Sequence, residues 1–264
     1  MANGQNKEEK RLFILSHIQE MCYFDDEFMT KCFEDYPTGV ELMLRIIMNN
    51  NTLVVKEVQV QSVIKNLQGR SIRMDVKTAD LQKKQYDVEM QKADSGAKPK
   101  RARYNSSLMD AIAILPGDDT ELLPETYVIF ITENDVLEGK LPIYHIERTI
   151  KENGILFDDK AHIIYVNGEI QDDTPLGRLM QDLSCSNPDD MNYEELANRA
   201  RYFKKDTEGQ KVMSKIVEQI VNYEKIEAAK RMLERGKLTK EEISEDLDLP
   251  LSIVESLENH LQLV

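Results

Sequence analysis

The stretch RMDVKTADLQKKQYDVEMQ, Arg73 to Gln91, constrains the fold more than any other part of the chain. Two runs of alternating apolar and polar residues flank the polar break DLQKK, the pattern of two strands joined by a short loop. A hairpin folded symmetrically about Gln82 sets Arg73 opposite Gln91, Asp75 opposite Glu89 and Lys77 opposite Asp87. Lys77 and Asp87 then form an ordinary cross-strand ion pair, whereas Asp75 and Glu89 set like charges face to face, which costs stability. Alternation gathers Arg73, Asp75, Lys77, Asp87, Glu89 and Gln91 on one face and leaves Met74, Val76, Tyr86, Val88 and Met90 on the other. Two facing carboxylates either shift a pKa or share a cation, and a hard divalent ion is their usual partner. A solvent-facing sheet on which both acids are hydrated fits the same spacing.

The rest of the chain places that hairpin in an α/β protein. Its 264 residues are enough for one sizeable domain with an appendage or for two small ones, and 41% apolar content suffices for a core. Helical spacing runs from Lys7 to Glu20, through DDEFMTKCFEDYP up to Pro37, and through TGVELMLRIIMN, whose apolar positions nearly encircle it. Within that last segment Glu41 and Arg45 stand four apart, either as a plain ion pair or as a polar stripe beside an active centre. VQVQSVIKNL, over 58–67, alternates like a strand and Gly69 follows it. A helix is predicted through SSLMDAIAIL, ending at Pro116 and Gly117. TYVIFIT is a short continuous apolar run, as in a strand buried on both faces, and LPIYHIERTI and AHIIYVNG add two more strand candidates. Helix, strands, helix, strand implies a mixed sheet with helices packed on it.

After SCSNPDD only helical patterning remains, with a stop at Gly236 and a capping box from Thr239 to Glu242. The domain boundary is placed near residue 188, dividing 1–188 from a helical region over 189–264. The final helices have the rhythm of a helix-turn-helix, but two lysines against seven acids from Gly236 onward oppose DNA reading. A helical hairpin packed on the core or on a partner chain fits better. Val212, Ile216, Ile220 and Tyr223 line one side of the long helix before it and offer a seam for a homodimer.

Several classes of function are disfavoured. No apolar run approaches a bilayer span and MANGQNKEEKR lacks the core of a signal peptide, so no membrane role and a cytoplasmic location are expected. The three cysteines show no CxxC spacing, and the four histidines show no ligand spacing. A net charge of −14 opposes general coating of nucleic acid. The local exception is KADSGAKPKRARY, with Lys98, Lys100, Arg101 and Arg103 within six residues, which as an isolated run reads as a solvated loop.

Taken together, GRSIRMDVKTADLQKKQYDVEMQKA, KRARYNSSLMD and YVIFIT resemble the PD-(D/E)XK nuclease superfamily, specifically the recombination-promoting nuclease and transposase family. That family's pattern is an Asp on one strand and Glu-x-Gln on the next, matched by Asp75 and EMQ, and the Asp-x-x-Phe of DDEFMTKCF also fits. Asn105 departs from it, standing where a second Tyr is common.

The resemblance implies a restriction-endonuclease-like α/β core, a mixed central sheet flanked by helices, with an all-helical C-terminal region. It also implies a Mg²⁺- or Mn²⁺-dependent DNA endonuclease serving recombination or transposition. Asp75, Glu89 and the main-chain carbonyl of Met90 would hold the metal, and Glu41 would be an extra acid. Gln91 replaces the usual Lys; it cannot act as a base, but it can orient water or bond a phosphate oxygen. Lys100, Arg101 and Arg103 would grip phosphates and Tyr104 would stack on a base. The competing expectation is a non-catalytic DNA-binding or protein-interaction relative.

Overall fold

Residues 2–65 and 70–261 are described by the computed structural model. The chain opens with helices α1 (Ala2–Glu20), α2 (Asp26–Phe33) and α3 (Pro37–Ile47), followed by strands β1 (Val55–Ile64), β2 (Ile72–Asp80) and β3 (Gln85–Gln91). Helix α4 (Pro99–Ala113) leads to β4 (Thr126–Thr132), β5 (Ile143–Ile146) and β6 (Ala161–Asn167). Five helices complete it: α5 (Pro175–Ser184), α6 (Glu194–Lys205), α7 (Thr207–Arg235), α8 (Lys240–Asp246) and α9 (Leu251–Leu261).

The six strands form one sheet in the order β1-β2-β3-β4-β6-β5. The two short connections give antiparallel pairs, β1 with β2 and β2 with β3, while the long crossover through α4 makes β3 and β4 parallel. β4 also runs parallel to β6, and β5 pairs antiparallel to β6 at the edge. TYVIFIT is buried at every position, as its continuous apolar run predicts, because both faces of this central strand are covered. Val128, Phe130 and Tyr165 join Ala102, Leu108 and Met109 of α4 in one buried cluster. In register, Phe130 stacks on Tyr165 at 5.3 Å, and Tyr127 stacks on Tyr86 and His162 at 5.2 and 4.5 Å.

Three expectations need correction here. The basic run is not a loop: Pro99 occupies the first turn of α4, so Lys100, Arg101 and Arg103 project from its first two turns. Helix α3 buries one face, Gly39, Val40, Met43, Leu44 and Ile47, and leaves the remaining positions half-exposed or exposed. Helix α5, which the sequence pattern did not reveal, starts where the Thr174 hydroxyl accepts the Gly177 amide. The predicted end of the first strand, at Asn66 and Leu67, and Gly69 lie outside the described residues.

Two compact units result: Gln19–Asp206, and Met1–Ile18 together with Thr207–Val264. The first runs past the expected break near residue 188 because α6 docks among the helices that precede the sheet. The Tyr23 hydroxyl donates to the Leu196 carbonyl at 2.9 Å, and Arg199 donates to the carbonyls of Lys31, Cys32 and Glu34. Lys204, fully buried, donates to the carbonyls of Gln19, Met21 and Ser186. The sheet ends at Asn167, and the helices that follow, as far as Asp206, still belong to the first unit. In the second unit Ala229, Ile243, Leu249 and Val254 form a small core, and the predicted Thr239–Glu242 capping box and the left-handed Gly236 stop are both present.

Candidate active site

The β2–β3 ladder has the symmetric register expected of the hairpin, from Ala79 opposite Gln85 to Val76 opposite Val88. It stops there, one step before Asp75 would face Glu89. Beyond that point β2 stays paired with β1 as far as Ile72 opposite Ile64, so it parts from β3. The like-charge pair is thus relieved by divergence of the strands. Asp75 Oδ2 accepts the Met90 amide at 3.0 Å, so a side chain replaces a ladder bond across the gap. Because N–H and C=O of one strand residue point to the same edge, the Met90 carbonyl also faces the gap. The opposite edge of β3 stays closed: Gln91 O accepts the Glu133 amide at 3.1 Å.

Neither acid lies on a wet surface. Asp75 is 7% exposed and Glu89 is 0% exposed. Gln91 Nε2 donates to Asp75 Oδ2 at 3.3 Å and to Glu89 Oε2 at 3.4 Å, so oxygens from two strands converge on one nitrogen. Arg101 covers Glu89, with Nη2 to Oε2 at 2.5 Å, while its Nη1 donates to Gln91 Oε1 at 3.2 Å and to the Gly96 carbonyl at 2.8 Å. From the next turn of α4, Asn105 Nδ2 donates to Glu89 Oε1 at 3.3 Å and to Asp87 Oδ2 at 3.0 Å. Arg101 and Asn105 stand four apart, which stacks them on one helix face.

Asp87 makes this a buried trio of acids. It was expected to pair with Lys77, but its carboxylate is fully buried and bonded to Asn105, and the two form no ion pair among the described residues. Its Oδ1 and the Oδ1 of Asn105 have no hydrogen-bond partner among the described residues. Burial pushes all three up, Asp75 to about 6 with the Asp26 charge adding, Asp87 to about 7 with Asp75 adding, and Glu89 to about 9 with Asp87 and Asp75 adding. Met74, expected on the face away from these acids, belongs instead to the cluster beneath α4. Strict alternation relative to β3 no longer applies once β2 has left it.

Of the three, Asp75 lines a cleft of about 990 Å³. Six cations line it, Arg70, Arg73, Lys92, Lys98, Lys100 and Arg101, against two acids, Asp26 and Asp75. A chain of net charge −14 therefore carries a locally basic groove. Arg73 pairs with Asp26 at 3.2 Å and Lys92 with Asp25 at 2.7 Å, whereas Lys98 and Lys100 form no ion pair among the described residues. Tyr104 lines the cleft with its hydroxyl donating to the Arg70 carbonyl. Arg103 does not line it; it is exposed on another face of α4, since one residue on from Ala102 turns the side chain away.

Glu41 is also elsewhere. Its Oε2 accepts the Val55 amide at 2.9 Å and its Oε1 pairs with Arg45 at 2.6 Å, while Arg45 Nε donates to the Leu53 carbonyl. Val55 is opposite Asp80, five residues along β2 from Asp75, or roughly 17 Å at the strand rise. Glu41 and Arg45 thus cap the chain between α3 and β1 and are no part of the site. The acid that does reach the cleft is Asp26, at the start of α2, whose charge helps raise Asp75. It follows directly on Asp25, the Asp of the Asp-x-x-Phe stretch. Asn105 carried a signal in its spacing from Arg101; Arg70, Arg73 and Lys92 carried none, because only the fold brings them to one wall.

The donor chemistry fits a hard divalent cation. Two carboxylates and a main-chain carbonyl border one gap, N–H groups already occupy it, and the buried acids lack enough positive charge. Among the described residues no group of three His, Cys, Asp or Glu side chains is arranged to hold a metal. Among them, too, no helix is long and apolar enough to cross a membrane.

No curated protein and no solved structure matches the chain. One family model does: that of the PD-(D/E)XK nuclease family transposases, over residues 43–246. The match takes in the diverging hairpin, the cleft helix and the chain from there into α8, and the mixed six-stranded sheet with its helical C-terminal region is consistent with a PD-(D/E)XK-like fold. The chain therefore belongs to the PD-(D/E)XK nuclease family transposases.

Proposed function

We propose that the protein is a divalent-metal-dependent endonuclease that hydrolyses DNA phosphodiester bonds with little sequence preference, in the service of recombination or transposition. One observation carries this reading: carboxylate oxygens of Asp75 and Glu89 converge on one nitrogen at the edge of a cation-lined cleft. Asp75, Glu89 and the Met90 carbonyl would hold Mg²⁺ or Mn²⁺, which when bound lowers the pKa of a coordinated water and stabilises charge on the phosphate. Gln91 orients water through its amide, because a glutamine neither takes up a proton nor carries charge at neutral pH. Lys98 and Lys100 grip phosphates beside the N-terminus of α4, where main-chain amides add attraction, and Asn105 holds Glu89 in place. Such contacts fix the backbone of the DNA without reading bases.

Calorimetric titration of the full chain with Mn²⁺, together with nicking of supercoiled plasmid, tests this. Metal-dependent heat and nicking are expected for the wild type, and both are expected to disappear in Asp75→Ala. The second reading, a non-catalytic DNA-binding or protein-interaction module, draws on the closure of Glu89 beneath Arg101. A wild-type protein that gives neither heat nor nicks would favour it. A homodimer through α7 is also proposed, since Val212 and Tyr223 are exposed while Met213 and Val217 of the same helix are buried. Sedimentation showing a monomer at every concentration would remove it.

A further inference from the structure

Arg101 is the feature of the site that catalysis by the other residues does not explain. Glu89 is fully buried and does not line the cleft, whereas the Arg101 side chain, 36% exposed, does. The guanidinium lies between the carboxylate and the open groove, 5.8 Å over the Phe130 ring, with one nitrogen on Glu89 and the other on Gln91 and the Gly96 carbonyl. A long side chain on the first turn of a helix, held by contacts at its tip, can leave without disturbing the fold. While it stays, it satisfies the same oxygen that a metal would need.

We propose that Arg101 is an exchangeable counter-cation that competes with the divalent ion for Glu89 and, once displaced, binds a phosphate in the cleft. The inference rests on the metal-dependent reading above. It makes metal and DNA binding mutually supportive: a phosphate draws Arg101 away from Glu89, and a metal at Glu89 frees Arg101 for a phosphate. By linkage each ligand then raises the affinity for the other.

Arg101→Ala, in the full chain, separates competition from support. Calorimetry with Mn²⁺ is expected to show about tenfold tighter metal binding than in the wild type, the size of one lost charge-assisted hydrogen bond. DNA affinity in EDTA is expected to change little, because without metal the phosphate contact of Arg101 is offset by the loss of its contact with Glu89. On adding Ca²⁺ as the probe metal, the wild type is expected to gain DNA affinity that Arg101→Ala does not gain. Gly96→Ala provides a second route should the first variant fold poorly. A Cβ there would lie 1.9 Å from Gln91 Oε1 and 3.4 Å from Arg101 Nη1, so the flexible Gln91 amide that holds Arg101 must shift. Tighter metal binding is expected again. Metal binding that is unchanged or weaker in both variants overturns the exchange and makes Arg101 a fixed partner of Glu89. Absence of metal binding in the wild type and both variants overturns the metal-dependent reading as well.

Discussion

Asp75 and Glu41 show how little a residue's type decides without its surroundings. Both are acids beside the sheet, yet Asp75 spans the gap to Met90 while Glu41 closes a loop on Val55. Glu41→Ala should therefore leave Mn²⁺ binding intact and lower stability by about 1–3 kcal/mol through the unsatisfied Val55 amide, read by urea unfolding. The buried trio makes a further prediction. Asp75, Asp87 and Glu89 all have folded pKa values above their unfolded ones, near 6, 7 and 9, so the folded state retains protons that the unfolded chain releases. Their contribution is fully present below about pH 4 and declines as pH rises through those three values. In metal-free buffer the melting temperature should fall between pH 5 and pH 9, and Asp87→Asn should flatten that fall. A pH-independent profile in the wild type would remove the trio's role. Asp87 also shows where alternation misleads: the register with Lys77 is right, but α4 covers this face, and Asn105 reaches the carboxylate first.

At the scale of elements, one short divergence and one helix make the site. β2 must leave β3 after Val76 for Asp75 to face a gap, and α4 must begin at Pro99 for Lys100, Arg101, Tyr104 and Asn105 to share the cleft side. Arg103 lies on another face of the same helix. Lys100→Ala should weaken DNA binding at every sequence and reduce the slope of log affinity against log salt by about one, whereas Arg103→Ala should leave both nearly unchanged. Fluorescence anisotropy across a salt series measures both, and equal losses from the two variants would contradict the cleft assignment. The strands, the capping box and the long C-terminal helices were legible because period and caps are local properties. α5 and the first turn of α4 were not, since a Pro at the start of a helix resembles a loop until the turn it begins is seen.

Across the whole molecule, the terminal helical unit has a small core of Ala229, Ile243, Leu249 and Val254, and the sheet unit has a buried cluster beneath α4. Ile243→Ala, buried at 0% exposure in the latter, should cost that unit about 2–5 kcal/mol while the melting of residues 19–206 stays put. Calorimetry resolves this as one shifted and one unshifted transition; a common shift would show that the two melt together. By itself, the amino-acid sequence determined the family and the hairpin register, because side-chain period and motif spacing are written along the chain. Only tertiary structure decided which acid joined the site, which cations lined the cleft and what covered Glu89. Burial and strand divergence arise from elements far apart in the chain, and no local pattern encodes how they meet.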